Sequence, residues 1–115
     1  MTNAHPDDGT KSLDVITIGR ASVDLYGQQI GTRLEDVGSF AKSVGGCPAN
    51  IAIGTARLGL KSAWLGRVGD EQFGRFITEQ LAREGVTTGG IVTDPDRLTA
   101  LVLLAVEAEG VSPMI

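Results

Sequence analysis

One cysteine, one histidine, one tryptophan and one tyrosine in 115 residues leave this chain short of the side chains that most often carry chemistry. With Cys47 as its only thiol, it has no internal disulfide and no site built from several cysteines. The single histidine, His5, sits in a polar stretch, and no second histidine is present to act as the base of a nucleophile triad. Ten Lys and Arg against fourteen Asp and Glu give a net charge of -4, with no basic run, which argues against nucleic acid as a partner. The longest apolar run, Ala100 to Val106, falls far short of a membrane span, so no membrane partner is expected. Residues 1–12, MTNAHPDDGTKS, read as a disordered polar tail without the apolar stretch of a secretory leader. A cytoplasmic location is the default expectation.

What is present reads as soluble and globular: 42% hydrophobic residues, 21% charged, and enough length for one domain with a modest core. LDVITIG, Leu13 to Gly19, is apolar on both faces and predicts a buried central strand. Ser22 to Val44 mixes polar and apolar residues around Gly27, Gly31 and Gly38, which predicts short exposed strands and turns, an appended flap. Pro48 suits the first turn of a helix running to Leu58, with Gly59 as a left-handed cap. A strand follows around Trp64 and Leu65. Asp70 then predicts the N-cap of a helix whose Phe73, Phe76, Ile77 and Leu81 share a face, and Gly85 ends it. GGIVT and LTALVLLAVE predict two more strands, separated by the turn-forming DPDR. Alternating strands and helices imply an α/β fold with a largely parallel sheet.

The nucleotide motifs fail on inspection. Gly54 to Ser62, GTARLGLKS, approaches a phosphate loop, but Leu60 is inserted before Lys61 and a helix precedes it where a strand should. No Gly-x-Gly-x-x-Gly follows the first strand. What remains is Asp24, just after that strand, with the adjacent Gly45 and Gly46 and with Asn50 in the first turn of the following helix. A carboxylate acceptor, two backbone N–H groups and a side-chain amide suit a polyhydroxylated ligand, because a sugar hydroxyl both donates and accepts. Each also has a plain structural reading: a surface carboxylate, a turn, a local hydrogen bond at a helix start.

GGCPANIA, Gly45 to Ala52, followed by Gly59 and by Gly69 in VGDEQFG, resembles the N-terminal signature of the ribokinase-like (PfkB-type) carbohydrate kinases, and the likeness extends over about residues 13 to 106. Within that family, Leu13 to Ala63 is most similar to kinases of a deoxy keto sugar acid from bacterial inositol breakdown. The resemblance implies ATP-dependent phosphorylation of a primary hydroxyl, with ATP and Mg²⁺ as cofactors and a small-molecule sugar acid as acceptor. It implies that Asp24 holds sugar hydroxyls, that Gly45 and Gly46 let the backbone approach the sugar, and that Asn50 hydrogen-bonds it. Residues about 22–44 and 90–100 would form the family's lid, a possible homodimer contact. An acid acceptor calls for a cation, and Arg20, Arg33 and Lys42 are candidates by position near the flap, with solvated surface charge as the alternative for each. Cys47, in the signature loop, would touch the substrate or fill space.

The family's catalytic aspartate lies in a C-terminal Gly-Ala-Gly-Asp loop that this sequence does not contain, and Asp70 does not stand in for it. Residues 13–115 are therefore expected to be the N-terminal portion of a ribokinase-like domain, inactive alone. The apolar ending GVSPMI supports the same expectation. Leu101 to Leu104 are expected to lack partners, and the isolated chain to aggregate or dimerise. The alternatives are a kinase with another sugar or a nucleoside as acceptor, and a non-catalytic fragment that binds a sugar or pairs through its lid.

Overall fold

The computed structural model describes residues 12–107, so most of the tail expected at 1–12 and the closing GVSPMI lie outside the described residues. The chain runs β1 (Val15–Ile18), β2 (Ser22–Gly27), a 3₁₀ turn (Leu34–Asp36), β3 (Phe40–Gly45), α1 (Cys47–Arg57), β4 (Ser62–Gly69), α2 (Gln72–Arg83), β5 (Ile91–Asp94) and β6 (Leu101–Leu104). The α/β order is that expected from the sequence.

Two three-stranded sheets result. The main sheet is parallel, in the order β1-β4-β5, with Val15 to Ile18 beside Ser62 to Leu65 and Gly66 to Gly69 beside Ile91 to Asp94. The second sheet has the order β3-β2-β6, with β2 and β3 antiparallel and β2 and β6 parallel. Pro48 sits in the first turn of α1, where its missing N–H costs nothing, and Gly59 takes φ +93° just past the last turn. Gly85 does the same after α2 with φ +85°.

The core joins both sheets to the helices. Trp64 of β4, Ile77 and Leu81 of α2, Ala49 and Ala52 of α1 and Val23 of β2 are all fully buried, with Leu25 and Val44 of the second sheet packed against them. Ser62, also buried, shares a 2.6 Å hydrogen bond with Thr55 Oγ1. Among the described residues no helix is long and apolar enough to cross a membrane.

Several expectations are corrected here. β1 is an edge of its sheet among the described residues, and β4 is the centre. Its alternation leaves Ile16 at 53% and Ile18 at 74% exposure, because α1 and α2 cover the face that carries Thr17 and Trp64. Ser22 and Val23 are buried, so the strand that opens the second sheet also packs against the core. Of residues 90–100, Ile91–Asp94 pairs with β4 in the main sheet, carried there by α2 as a parallel crossover, and Ala100 meets the second sheet where its carbonyl accepts from Val23 N–H. The strand that does join the second sheet is Leu101–Leu104, which pairs with Val23 to Tyr26, so Leu101 to Leu104 have partners and Val102 and Leu104 are buried. Leu101 is paired yet 43% exposed, and further uncovered apolar surface on the strands lies at Ile16, Ile18 and Val92. The N-cap of α2 is Glu71 rather than Asp70.

Candidate functional site

Asp24 lies on β2 two residues after Ser22, so the two share a face. The Ser22 hydroxyl donates to Asp24 Oδ1 at 2.8 Å. Gly45 stands opposite Ser22 across the antiparallel pair, and a Cβ there would fall on the Asp24 carboxylate. Gly46 follows with φ +100°, a backbone that L side chains rarely adopt, and a Cβ there would fall on the Arg20 carbonyl oxygen and stand 3.0 Å from Ala21 Cα. The glycine pair therefore makes room first for the chain itself. The carboxylate of Asp24 rests against bare backbone at Gly45, and the Arg20–Ala21 turn packs on Gly46.

Asn50 is in the first turn of α1, where its N–H donates to Gly46 O at 2.9 Å. It lines a cavity of about 400 Å³ between α1, α2 and β3, together with Lys42, Ile53, Arg57, Phe76 and Glu84, and Asp24 is not among the lining residues. Two cations of this cavity are engaged: Lys42 Nζ stands 4.4 Å from the centre of the Phe76 ring, and Arg57 makes a two-pronged pair with Glu84 at 2.6 and 2.8 Å. That pair raises the Arg57 pKa and lowers the Glu84 carboxyl. Arg33 pairs with Asp36 at 2.6 Å inside its own loop. Cys47 is exposed at the start of α1. The structure thus brings Asp24, Gly45 and Gly46 together, places Asn50 with Lys42 in a neighbouring cavity, and keeps Arg33 apart from both.

A second cleft, of about 210 Å³, opens where the two sheets meet. Arg20, Arg67, Asp94 and Arg97 line it, at or beyond the C-terminal ends of β1, β4 and β5. Ligands of open α/β sheets gather at such strand ends. Ala21 and Ala100 also line it, and Ala100 O accepts from Val23 N–H at 2.9 Å, so the cleft adjoins the strand that carries Asp24. The Asp96 N–H, with Arg67 and Arg97 nearby, holds the Asp94 carboxyl below the usual carboxylate range.

The loop that carries Arg97 is fastened by Glu71. One carboxylate oxygen accepts from Gly74 N–H at 2.7 Å and from the Thr99 hydroxyl at 2.9 Å, and the other accepts from Thr99 N–H at 2.9 Å. Gly69 N–H completes the clamp by donating to Thr99 Oγ1 at 2.9 Å. Gly69 and Gly74 allow the close packing, since a Cβ on Gly69 would lie 2.7 Å from Arg97 O and one on Gly74 would fall on Gly69 O. Arg67, Arg97, Glu71 and Thr99 do not stand out in the sequence. The only visible signal was the spacing of VGDEQFG, which does not point to a threonine 28 residues downstream.

These hydrogen bonds, the one from Thr99 N–H foremost, hold the Glu71 carboxyl below its ordinary value. A lowered folded-state pKa contributes stability that is fully present above the ordinary glutamate pKa of about 4.3 and is lost as pH falls through the lower folded value. Thermal melts between neutral and acid pH are expected to show this loss in the parent chain and a shallower acid dependence in Glu71→Gln. Glu71→Ala, which removes the cap and strands three donors, is expected to cost about 2 kcal/mol at neutral pH. Equal acid slopes for the parent and Glu71→Gln would remove Glu71 from the account.

The chain is similar to known proteins over most of its length. The 5-dehydro-2-deoxygluconokinase of Geobacillus thermodenitrificans is 48% identical over 92 residues, covering 80% of this chain and 27% of that protein. A sugar kinase of Pyrococcus horikoshii solved with ATP superposes with a TM-score of 0.81 at 37% identity, covering 88% of this chain and 33% of its own. A ribokinase-type protein of E. coli solved with ATP and Mg²⁺ gives 0.80 at 27% identity, covering 90% and 33%. The chain spans about a quarter of the length of the curated relatives it matches. The profile of the pfkB family carbohydrate kinases matches residues 12–112, and the chain belongs to that family.

Proposed function

We propose that this chain forms the acceptor-binding part of an ATP-dependent kinase whose acceptor is 5-dehydro-2-deoxygluconate or a close keto sugar acid. The relatives that carry that name support the acceptor, and the solved family members with ATP support the donor. The observation that carries the reading is Asp24: a carboxylate pinned by Ser22 against the bare backbone of Gly45, beside the seam where the two sheets meet. Held there, it accepts hydrogen bonds from ligand hydroxyls and fixes the sugar before transfer, and positioning of this kind supplies much of the catalysis in phosphoryl transfer.

When bound, ATP would supply the phosphoryl group and Mg²⁺ would neutralise the charge that develops on it. Among the described residues no three His, Cys, Asp or Glu side chains group as a metal site. The part assigned to this chain is acceptor orientation by Asp24, with Asn50 and Lys42 lining the adjoining cavity.

The test grafts residues 13–107 in place of the matching segment of the Geobacillus thermodenitrificans enzyme and follows ATP-dependent phosphorylation of 5-dehydro-2-deoxygluconate. The graft is expected to be active, and Asp24→Ala to lower kcat/KM by about 100-fold, the equivalent of one charge-assisted hydrogen bond of about 3 kcal/mol. An Asp24→Ala graft within twofold of its parent would sink the role of Asp24. A graft that prefers fructose or ribose over the keto acid would move the assignment to another sugar.

A further inference from the structure

We propose that Arg20, Arg67 and Arg97 form the site that binds the carboxylate of the acceptor, a role that rests on the kinase reading above. Three arginines and a single acidic residue, Asp94, line the cleft, within a chain whose net charge is -4. Asp94 does not balance them. Its Oδ1 accepts from Asp96 N–H at 2.9 Å, and its contact with Arg67 Nη1 is long, at 3.4 Å. Among the described residues, Arg20 and Arg97 make no ion pair within 4 Å. Like charges gathered around one concavity repel each other, and an anionic ligand relieves that repulsion.

Exposed arginines usually wave in solvent, but the backbone under these three is fixed. Arg67 is in the central strand of its sheet. The residue before Arg20 is tied twice, Gly19 O accepting from the Trp64 indole N–H at 3.1 Å and Gly19 N–H donating to Leu65 O at 3.2 Å, while Arg20 itself packs on Gly46. Arg97 rides on the loop that Glu71, Thr99 and Gly69 clamp. Cations on anchored backbone lose less freedom when a ligand arrives, and the planar guanidinium matches a carboxylate two-pronged.

The spacing also suits one ligand. Arg20 and Asp24 are four residues apart, at most about 14 Å between Cα atoms, and the cleft adjoins β2 where Ala100 O accepts from Val23 N–H, so a sugar acid with its hydroxyls at Asp24 would direct its carboxylate toward the arginines. Arg33 and Lys42, paired with Asp36 and stacked on Phe76, have no part in this site.

The guanidinium cluster would also suit the phosphate chain of a nucleotide, and the experiment separates the two. The 115-residue chain, labelled with ¹⁵N, is titrated at constant ionic strength with gluconate, with its neutral counterpart glucitol, and with tripolyphosphate, following the arginine Nε–H signals. Gluconate is expected to shift the signals of Arg20, Arg67 and Arg97 and to bind at least tenfold more tightly than glucitol. Arg67→Gln and Arg97→Gln are each expected to remove most of that preference, and Arg97→Lys to keep part of it. Equal binding of gluconate and glucitol, or shifts confined to other arginines, would overturn the site. Tripolyphosphate that displaces gluconate from the same three groups would reassign it to the phosphoryl donor and overturn the carboxylate role.

The grafted enzyme provides a second measurement that does not depend on the short chain. There, Arg97→Gln is expected to raise KM for the keto acid about tenfold with kcat nearly unchanged. A graft that phosphorylates the keto acid with KM indifferent to Arg67→Gln and Arg97→Gln would leave the kinase reading standing and remove this site. A graft without activity, alongside arginine signals that respond to gluconate, would do the reverse.

Discussion

Gly46→Ala is expected to destabilise the chain by about 3 kcal/mol, whereas Gly45→Ala should leave it folded and without ligand binding. The two neighbouring glycines differ in what stands where a Cβ would go. At Gly46 the obstacle is backbone, the Arg20 carbonyl oxygen, and the φ of +100° adds strain of its own, about 1–3 kcal/mol for a non-glycine residue. Nothing there gives way without moving the Arg20–Ala21 turn or the start of α1. At Gly45 the obstacle is the Asp24 carboxylate, which can rotate away at the loss of its hydrogen bond from Ser22, about 1 kcal/mol. Urea unfolding is expected to show a lower midpoint for Gly46→Ala with an unchanged slope, and a small shift for Gly45→Ala. In the grafted enzyme, Gly45→Ala should lower kcat/KM about as much as Asp24→Ala, and the double variant no further, because both act through one carboxylate. Additive losses would mean that Gly45 serves the ligand directly, as the family resemblance implies. A Gly46→Ala chain as stable as its parent would contradict the packing of that turn.

The contrast shows what a linear reading can and cannot reach. That Gly45 and Gly46 precede a helix and permit close approach is legible in the letters; what approaches them is not, since Asp24 and Arg20 lie more than twenty residues upstream and meet them only through the pairing of β2 with β3. The order of strands and helices was legible because each is set by local pattern: Pro48 and Gly59 bound α1, and the three-and-four spacing of Phe73, Phe76, Ile77 and Leu81 marks the buried side of α2. Sheet order was not. The apolar letters of β1 suit a strand covered on both faces, yet the neighbours that decide its place are β4 and helices far along the chain. Glu71 was missed as a cap for a related reason. Asp70 has the better intrinsic preference, but the carboxylate of Glu71 gains Thr99 as well as Gly74, and a contact across 28 residues outweighs a local propensity. Arg67 and Arg97 look like ordinary surface charge until the sheet sets their strand ends beside Arg20.

Trp64→Ala should bring the chain close to unfolding. The indole is fully buried between the main sheet and its helices, and removing a buried tryptophan costs about 3–5 kcal/mol, against a total stability of about 5–15 kcal/mol for a domain of this size. Gly66 makes the replacement harder to repair, because the indole ring fills the place of its missing Cβ and Gly66 has no side chain to take that place. Trp64→Phe separates the two jobs of the residue. Most of the apolar volume stays, but the indole N–H no longer donates to Gly19 O, the carbonyl next to Arg20. The expected loss of stability is then about 1–2 kcal/mol, and the preference for gluconate over glucitol should weaken, since the backbone under Arg20 keeps only its bond to Leu65. Urea unfolding of both variants, with the gluconate titration repeated on Trp64→Phe, checks each part. If Trp64→Phe loses stability and keeps the full acid preference, the Leu65 bond and the packing on Gly46 hold Arg20 in place without the indole; if it loses both, the core residue and the cleft are joined through one hydrogen bond at the end of β1.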